Sequence, residues 1–225
     1  MTFDEAADEM MLILGNRTDT AMRDKCKTAI QRAQRYLEKN WISRPLPWFM
    51  LSERSDSTTA GDEERVELPD DFVEEYENDG LWVIDDNGGE HLLKKFDADT
   101  LREVQQQRTD YGTITGLDPL DIPTQYALTG KYFRLFPAPN RVLSVRMMYY
   151  RTLDLPSLGS DENEWLNNAP YAVIGWAGER LATGIRDQTA VQMFSQWKQG
   201  GIAALDIKTT ERDLANRRMQ MGETL

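Results

Sequence analysis

Apolar residues recur every three or four positions at both ends of the chain and every second position in parts of its middle. Near the start, Phe3, Ala6, Ala7, Met10, Met11 and Leu14 share one helical face, Thr2 and Glu5 stand at capping-box spacing, and Gly15 ends the pattern. After the polar break Asn16-Arg17-Thr18, the residues Met22, Cys26, Ala29, Ile30, Ala33 and Leu37 repeat it up to Asn40. This predicts a second, longer helix antiparallel to the first. Pro45 and Pro47 forbid further helix, and Trp48-Phe49-Met50-Leu51 reads as a buried strand. Residues 52–64, SERSDSTTAGDEE, contain no large apolar side chain and read as a flexible loop, after which Val66, Leu68 and Pro69 return the chain to a core.

The middle carries sheet. Leu81-Trp82-Val83-Ile84 and His91-Leu92-Leu93 surround Asn87-Gly88-Gly89, a hairpin signal. Asp97 or Asp99 can cap a short helix over 98–107, and Gly112, Gly116, Pro119 and Pro123 then make the chain irregular. Residues 126–151, YALTGKYFRLFPAPNRVLSVRMMYYR, hold three apolar runs cut by Thr129-Gly130-Lys131 and by Pro137 to Asn140, which reads as a three-stranded meander. In its last run Leu143, Val145, Met147 and Tyr149 alternate with Ser144, Arg146 and Tyr150, as a strand with one buried face requires.

Helix returns after a polar connector. Pro170 suits a first turn, Tyr171, Ile174, Leu181 and Ile185 make one stripe, and Gly175, Gly178 and Ala182 keep an adjacent face thin for close packing. Asp187 can cap a last helix with Val191, Phe194 and Trp197 inward, and Gly200-Gly201 suits a break or bend. Beyond it Ile207, Leu214 and Met221 recur every seven residues in a polar background, a stripe too thin for a core helix and suited to a segment that docks on another chain or frays in solution. The fold class is α+β: a helical bundle from 1–46 and 152–215, a β-rich insertion of antiparallel hairpins and a meander over 47–151, and a docking tail over 216–225.

Charge and chemistry narrow the function. The net charge is −12, and the stretch from Glu53 to Asp79 carries twelve carboxylates against Arg54 and Arg65, which argues against a general nucleic-acid binder. One histidine, His91, and one cysteine, Cys26, leave no Cys/His zinc site, and no phosphate loop or nucleophile motif stands out. No cofactor and no metal is expected, and no apolar run is long enough for a membrane span. Two rival classes remain open: a glycan hydrolase using a carboxylate pair such as Glu74 with Asp97, and an acidic mimic of DNA.

The order of parts, with Leu68-Pro69-Asp70-Asp71-Phe72, Tyr126 to Pro139, Tyr149-Tyr150 and Asn163 to Pro170, resembles the head-to-tail adaptor proteins of tailed bacteriophages over about residues 1–215. The resemblance implies a structural virion protein present as a ring of about twelve copies, made in the host cytoplasm. Such a ring joins the portal protein to a tail, nozzle or tail-fibre protein and passes double-stranded DNA without holding it. It implies portal docking through the C-terminal segment, with Ile207, Arg212, Leu214, Arg217, Arg218 and Met221 as candidates. Carboxylates facing the lumen would repel phosphate. Asp62, Glu63, Glu64, Asp70 and Asp71 are the candidates for that, and Thr129, Lys131 and Asn140 for contacts with a neighbour or the next tail protein.

Overall fold

A computed structural model describes residues 1–15, 18–41, 43, 45–58, 64–76, 80–100, 103, 122–139 and 142–222, with side chains up to Asp213. It is α+β, and the chain divides into two compact units, Met1–Met50 with Thr152–Leu225, and Leu51–Arg151.

The first unit holds α1 (Phe3–Ile13), α2 (Thr20–Asn40), a 3-10 turn (Trp48–Met50), α3 (Glu164–Asn168), α4 (Pro170–Ile185) and α5 (Gln188–Gly222). The capping box at the start of α1 forms in full: the Glu5 amide donates to Thr2 Oγ1 at 3.2 Å and the Thr2 amide to Glu5 Oε2 at 2.8 Å. The remaining first-turn amides find acceptors in the connector before α3. Phe3 N–H donates to the Asp161 carbonyl at 2.8 Å and Asp4 N–H to that of Gly159 at 2.9 Å. The Asp161 carboxylate in turn accepts from the amides of Leu158 at 2.7 Å and Ser157 at 2.8 Å, and these bonds hold it below the ordinary aspartate range.

A carboxyl whose folded pKa is depressed stabilises above its unfolded pKa, about 3.9, and loses that contribution as pH falls through the folded value. Asp161→Asn should therefore lower the thermal midpoint at neutral pH, and the gap to wild type should close on acidification below that value. Thermal melts across a pH series would show it, and a gap that stays constant would mean the charge is not what orders the turn.

The expected face of α1 is buried, as are Met22, Cys26, Ile30, Ala33 and Leu37 on α2. On α4 the stripe is different from expectation. Ile174 is buried, but Tyr171 is 44% exposed and Ile185 also lies outward, while Ala172, Val173, Gly175, Ala177, Gly178 and Ala182 make the buried face. The reason is the tight approach of α5. A Cβ on Gly175 would stand 2.7 Å from Lys198 Cα, and one on Gly178 would stand 2.6 Å from Phe194 Cγ. Small residues, not the large ones, face the partner helix, and Tyr171 packs edge-on against Trp197. Asp187 caps α5, accepting from the Ala190 amide at 3.0 Å. The helix then runs unbroken through Gly200-Gly201, so the expected break is absent. A Cβ on Gly201 would lie 2.9 Å from Ala172 Cα, so that glycine serves helix contact.

The second unit packs two sheets face to face. Its strands are β1 (Leu51–Ser57), β2 (Arg65–Glu67), β3 (Phe72–Glu75), β4 (Leu81–Ile84), β5 (Glu90–Leu92), β6 (Lys94–Lys95), β7 (Gln125–Thr129), β8 (Tyr132–Phe136) and β9 (Ser144–Arg151). One sheet has the order β1-β9-β4-β5, with β3 also on β9; the other has the order β2-β8-β7-β6. Leu143, Val145, Met147 and Tyr149 meet Val66, Tyr126, Phe133 and Leu135 in one core, which Leu81, Val83 and Leu93 complete. Each such side chain, fully buried, contributes about 1.5–3 kcal/mol.

Three local expectations change. Trp48 to Met50 form a 3-10 turn, and strand begins only at Leu51. The stretch Ser52 to Ser57, read as loop, is an edge strand paired residue for residue with β9, from Leu51 opposite Tyr150 to Ser57 opposite Ser144. Main-chain hydrogen bonding to β9 sets its place, so it needs no apolar alternation. The third run of the meander leaves it: β7 and β8 form a hairpin, whereas β9 becomes the central strand of the facing sheet. The hairpin joining β4 and β5 forms as expected, with Trp82 opposite Leu92. Most of the helix expected over 98–107 lies outside the described residues.

Candidate functional site

The acidic stretch is more engaged than its composition indicates. Glu64 pairs with Arg134 at 2.9 Å, and Asp71 accepts from the Tyr149 hydroxyl at 3.0 Å. Burial, and then that bond, raise the Tyr149 pKa above the ordinary tyrosine value. Asp70 is exposed in the turn between β2 and β3, while Asp62 and Glu63 lie outside the described residues. Within the segment, Glu75 is buried, accepting from the Tyr126 hydroxyl at 3.1 Å and paired with Lys95.

At the β7–β8 hairpin, Gly130 takes φ +61° at the first central position of a two-residue turn, the geometry of a type II′ hairpin. Lys131 is exposed at the tip and Thr129 is half-buried beside it; Asn140 lies outside the described residues. On α5, Ile207 is 60% exposed, and the Arg212 guanidinium stacks over the Trp48 ring, 4.4 Å from its centre. Leu214, Arg217, Arg218 and Met221 stand on the same helix, and their side chains lie outside those described.

A buried carboxylate escaped the sequence reading. Glu38 is 1% exposed, and its Oε1 accepts from Gln34 Nε2 at 2.9 Å, the Leu153 amide at 3.1 Å and the Trp165 indole at 3.1 Å. Its Oε2 accepts from Arg35 at 2.8 Å. The available signal was the unbroken row Met22, Cys26, Ile30, Gln34, Glu38 at intervals of four.

Little of this resembles a reaction centre. Among the described residues no three of His, Cys, Asp and Glu gather in a way that could hold a metal ion. Cys26 is buried, its thiol pushed up to about 11 by burial and then by Asp19, which makes the thiolate scarce at neutral pH. His91 is exposed and bonded to Asp85 at 2.9 Å. Asp97 accepts from the Thr100 side chain and amide, bonds that lower its pKa, the opposite of what a general acid requires. No described helix is long and apolar enough to cross a membrane.

A family model described as SU10 adaptor protein matches residues 1–222. The chain belongs to the SU10 adaptor protein family. None of the curated proteins compared with it matches. The role of this SU10 adaptor is therefore that of a phage structural protein, and its surfaces are to be read as candidate contacts for assembly. Those surfaces are the exposed face of α5, the tip of the β7–β8 hairpin and the turn around Asp70.

Proposed function

We propose that this chain assembles as a ring that joins the capsid portal to the tail or nozzle of a virion and lets double-stranded DNA pass through its channel. The family match across residues 1–222 carries the reading. Twelve copies are the stoichiometry expected from the resemblance, with assembly in the host cytoplasm.

In this reading α5 docks on the portal. Ile207 supports it directly, being a large apolar side chain left in water on a long helix. Arg212, Leu214, Arg217, Arg218 and Met221 extend the same contact. Carboxylates toward the lumen keep DNA from sticking, because like charge raises the local cost of a phosphate. Asp70, exposed in the turn between β2 and β3, suits that role better than Glu64, whose charge is paired with Arg134; Asp62, Glu63 and Asp71 are assigned to it with Asp70. Thr129, Lys131 and Asn140 are assigned to the next tail component or a neighbouring subunit.

Electron microscopy of the purified chain mixed with its portal tests the reading. The expected result is a ring in register with the portal's symmetry. Portal particles left bare at saturating chain would overturn it. Ile207→Asp should weaken attachment at least about tenfold, as losing a buried apolar contact does.

A further inference from the structure

A groove of about 600 Å³ opens between α2 and α4. Its lining joins an apolar patch, Ala29, Ala177 and Trp176, to the basic side chains of Lys25, Arg32 and Arg180, with Asp24 as the opposing charge. The Arg180 guanidinium lies 4.8 Å from the centre of the Trp176 ring, and Tyr36 packs on the same indole at 4.6 Å. Lys25 and Arg32 have no carboxylate partner among the described residues. The groove is therefore a half-apolar recess with an excess of positive charge on a chain whose net charge is −12.

The opposite side of the same bundle presents the converse. Leu12 on α1 is 63% exposed, and Glu5, Asp8 and Glu9 stand seven, four and three residues before it, on the same helical face. Arg23 and Lys27, which reach Asp8 at 2.7 Å and Asp4 at 2.5 Å, mark the side of α2 that faces α1. On the helical wheel Lys25 and Arg32 lie about 170° from that side. A leucine ringed by carboxylates and a recess edged by bases thus sit on opposite sides of α2.

We propose that a second copy of this chain fills the groove. Leu12 of one copy enters the recess of the next, where Glu5 and Glu9, with Asp8 shared between Arg23 of its own copy and the facing bases, meet Lys25, Arg32 and Arg180. Because the two surfaces differ and lie on opposite sides, the contact is head-to-tail and repeats around a ring. This rests on the ring reading above and names the subunit contact it leaves open. Duplex DNA, the other polyanion the bases could meet, is disfavoured by the chain's own negative charge.

A charge-swap experiment decides. The full chain is followed by sedimentation velocity at low salt up to millimolar concentration, with folding checked by circular dichroism. Wild type should self-associate, at least about tenfold more weakly once salt screens exposed charges. Arg32→Glu/Arg180→Glu and Asp8→Lys/Glu9→Lys should each stay monomeric. Their equimolar mixture should associate again, since each variant then supplies the charge that the other lacks. Variants that associate as wild type does would overturn the contact and leave the ring reading standing, and so would a folded mixture that stays monomeric. If wild type alone is monomeric, the same samples are read as rings on portal particles: rings from either single variant overturn the contact, and rings from no sample overturn the ring reading.

Discussion

Glu38→Ala is expected to cost about 3–5 kcal/mol of folding stability, the range seen when one partner of a buried, bonded charge is removed. The carboxylate is 1% exposed and satisfies four donors: Gln34, Arg35, the Leu153 amide and the Trp165 indole. Three belong to residues buried with it; Gln34 Nε2 would keep the Leu153 and Asp154 carbonyls at 3.3 Å, but alanine would strand the Leu153 amide and the Trp165 indole in a site from which water is largely excluded. They also come from different parts of the chain, since Leu153 opens the connector after β9 and Trp165 lies on α3. The glutamate therefore ties the returning chain to α2. Glu38→Gln should cost less, about 1–3 kcal/mol, because its carbonyl keeps an acceptor while its amide confronts Arg35. Urea unfolding of the three proteins tests this, and a loss below about 1 kcal/mol for alanine would show that the hub is replaceable. Against a total stability of about 5–15 kcal/mol, the expected loss is enough to lower the yield of folded protein.

The paired glycines of α5 should respond to alanine with opposite signs. Gly200 faces open space, so Gly200→Ala should stabilise by up to about 1 kcal/mol through helix propensity. Gly201 faces α4, where the new methyl would stand 2.8 Å from the Tyr171 carbonyl carbon and 2.9 Å from Ala172 Cα. Those are backbone atoms that cannot rotate away, and overpacking of this kind costs about 1–3 kcal/mol or more. Gly175→Ala should be at least as damaging, since its methyl would press on the Lys198 backbone and on the Phe194 carbonyl at 2.8 Å. Thermal melts would check this: opposite shifts would support helix packing at Gly201, and equal shifts at Gly200 and Gly201 would overturn it.

The helices were legible because their determinants are local. Thr2 and Glu5, Asp187 and Pro170 act within a turn of where they stand, and the apolar face of α1 is complete in its own sequence. The sheets were less so, because β1 has little pattern of its own and takes its conformation from β9, whose nearest paired residue is more than eighty positions away. Likewise β8 and β9 look like neighbours along the chain, and only the facing core shows that they serve different sheets. For the candidate site, the exposure of Ile207 agrees with a thin stripe, whereas the engagement of Glu64 and Asp71 by Arg134 and Tyr149 depends on distant residues. The groove on α2 was hidden because its bases look like the ordinary solvated side of a helix until Trp176 lies beside them.

Leu51 opens β1 directly opposite Tyr150 near the end of β9, so the chain enters and leaves the β-rich unit through adjacent strands. Paired residues of this kind stand about 4.5–5.5 Å apart, a gap that a short peptide can close. The β-rich unit is thus a cassette in the topological sense: strands can be lengthened, lost or exchanged beyond that doorway without altering the path of the helices. In the proposed ring, such an arrangement lets contacts made by the β-rich unit change separately from those made by the helices.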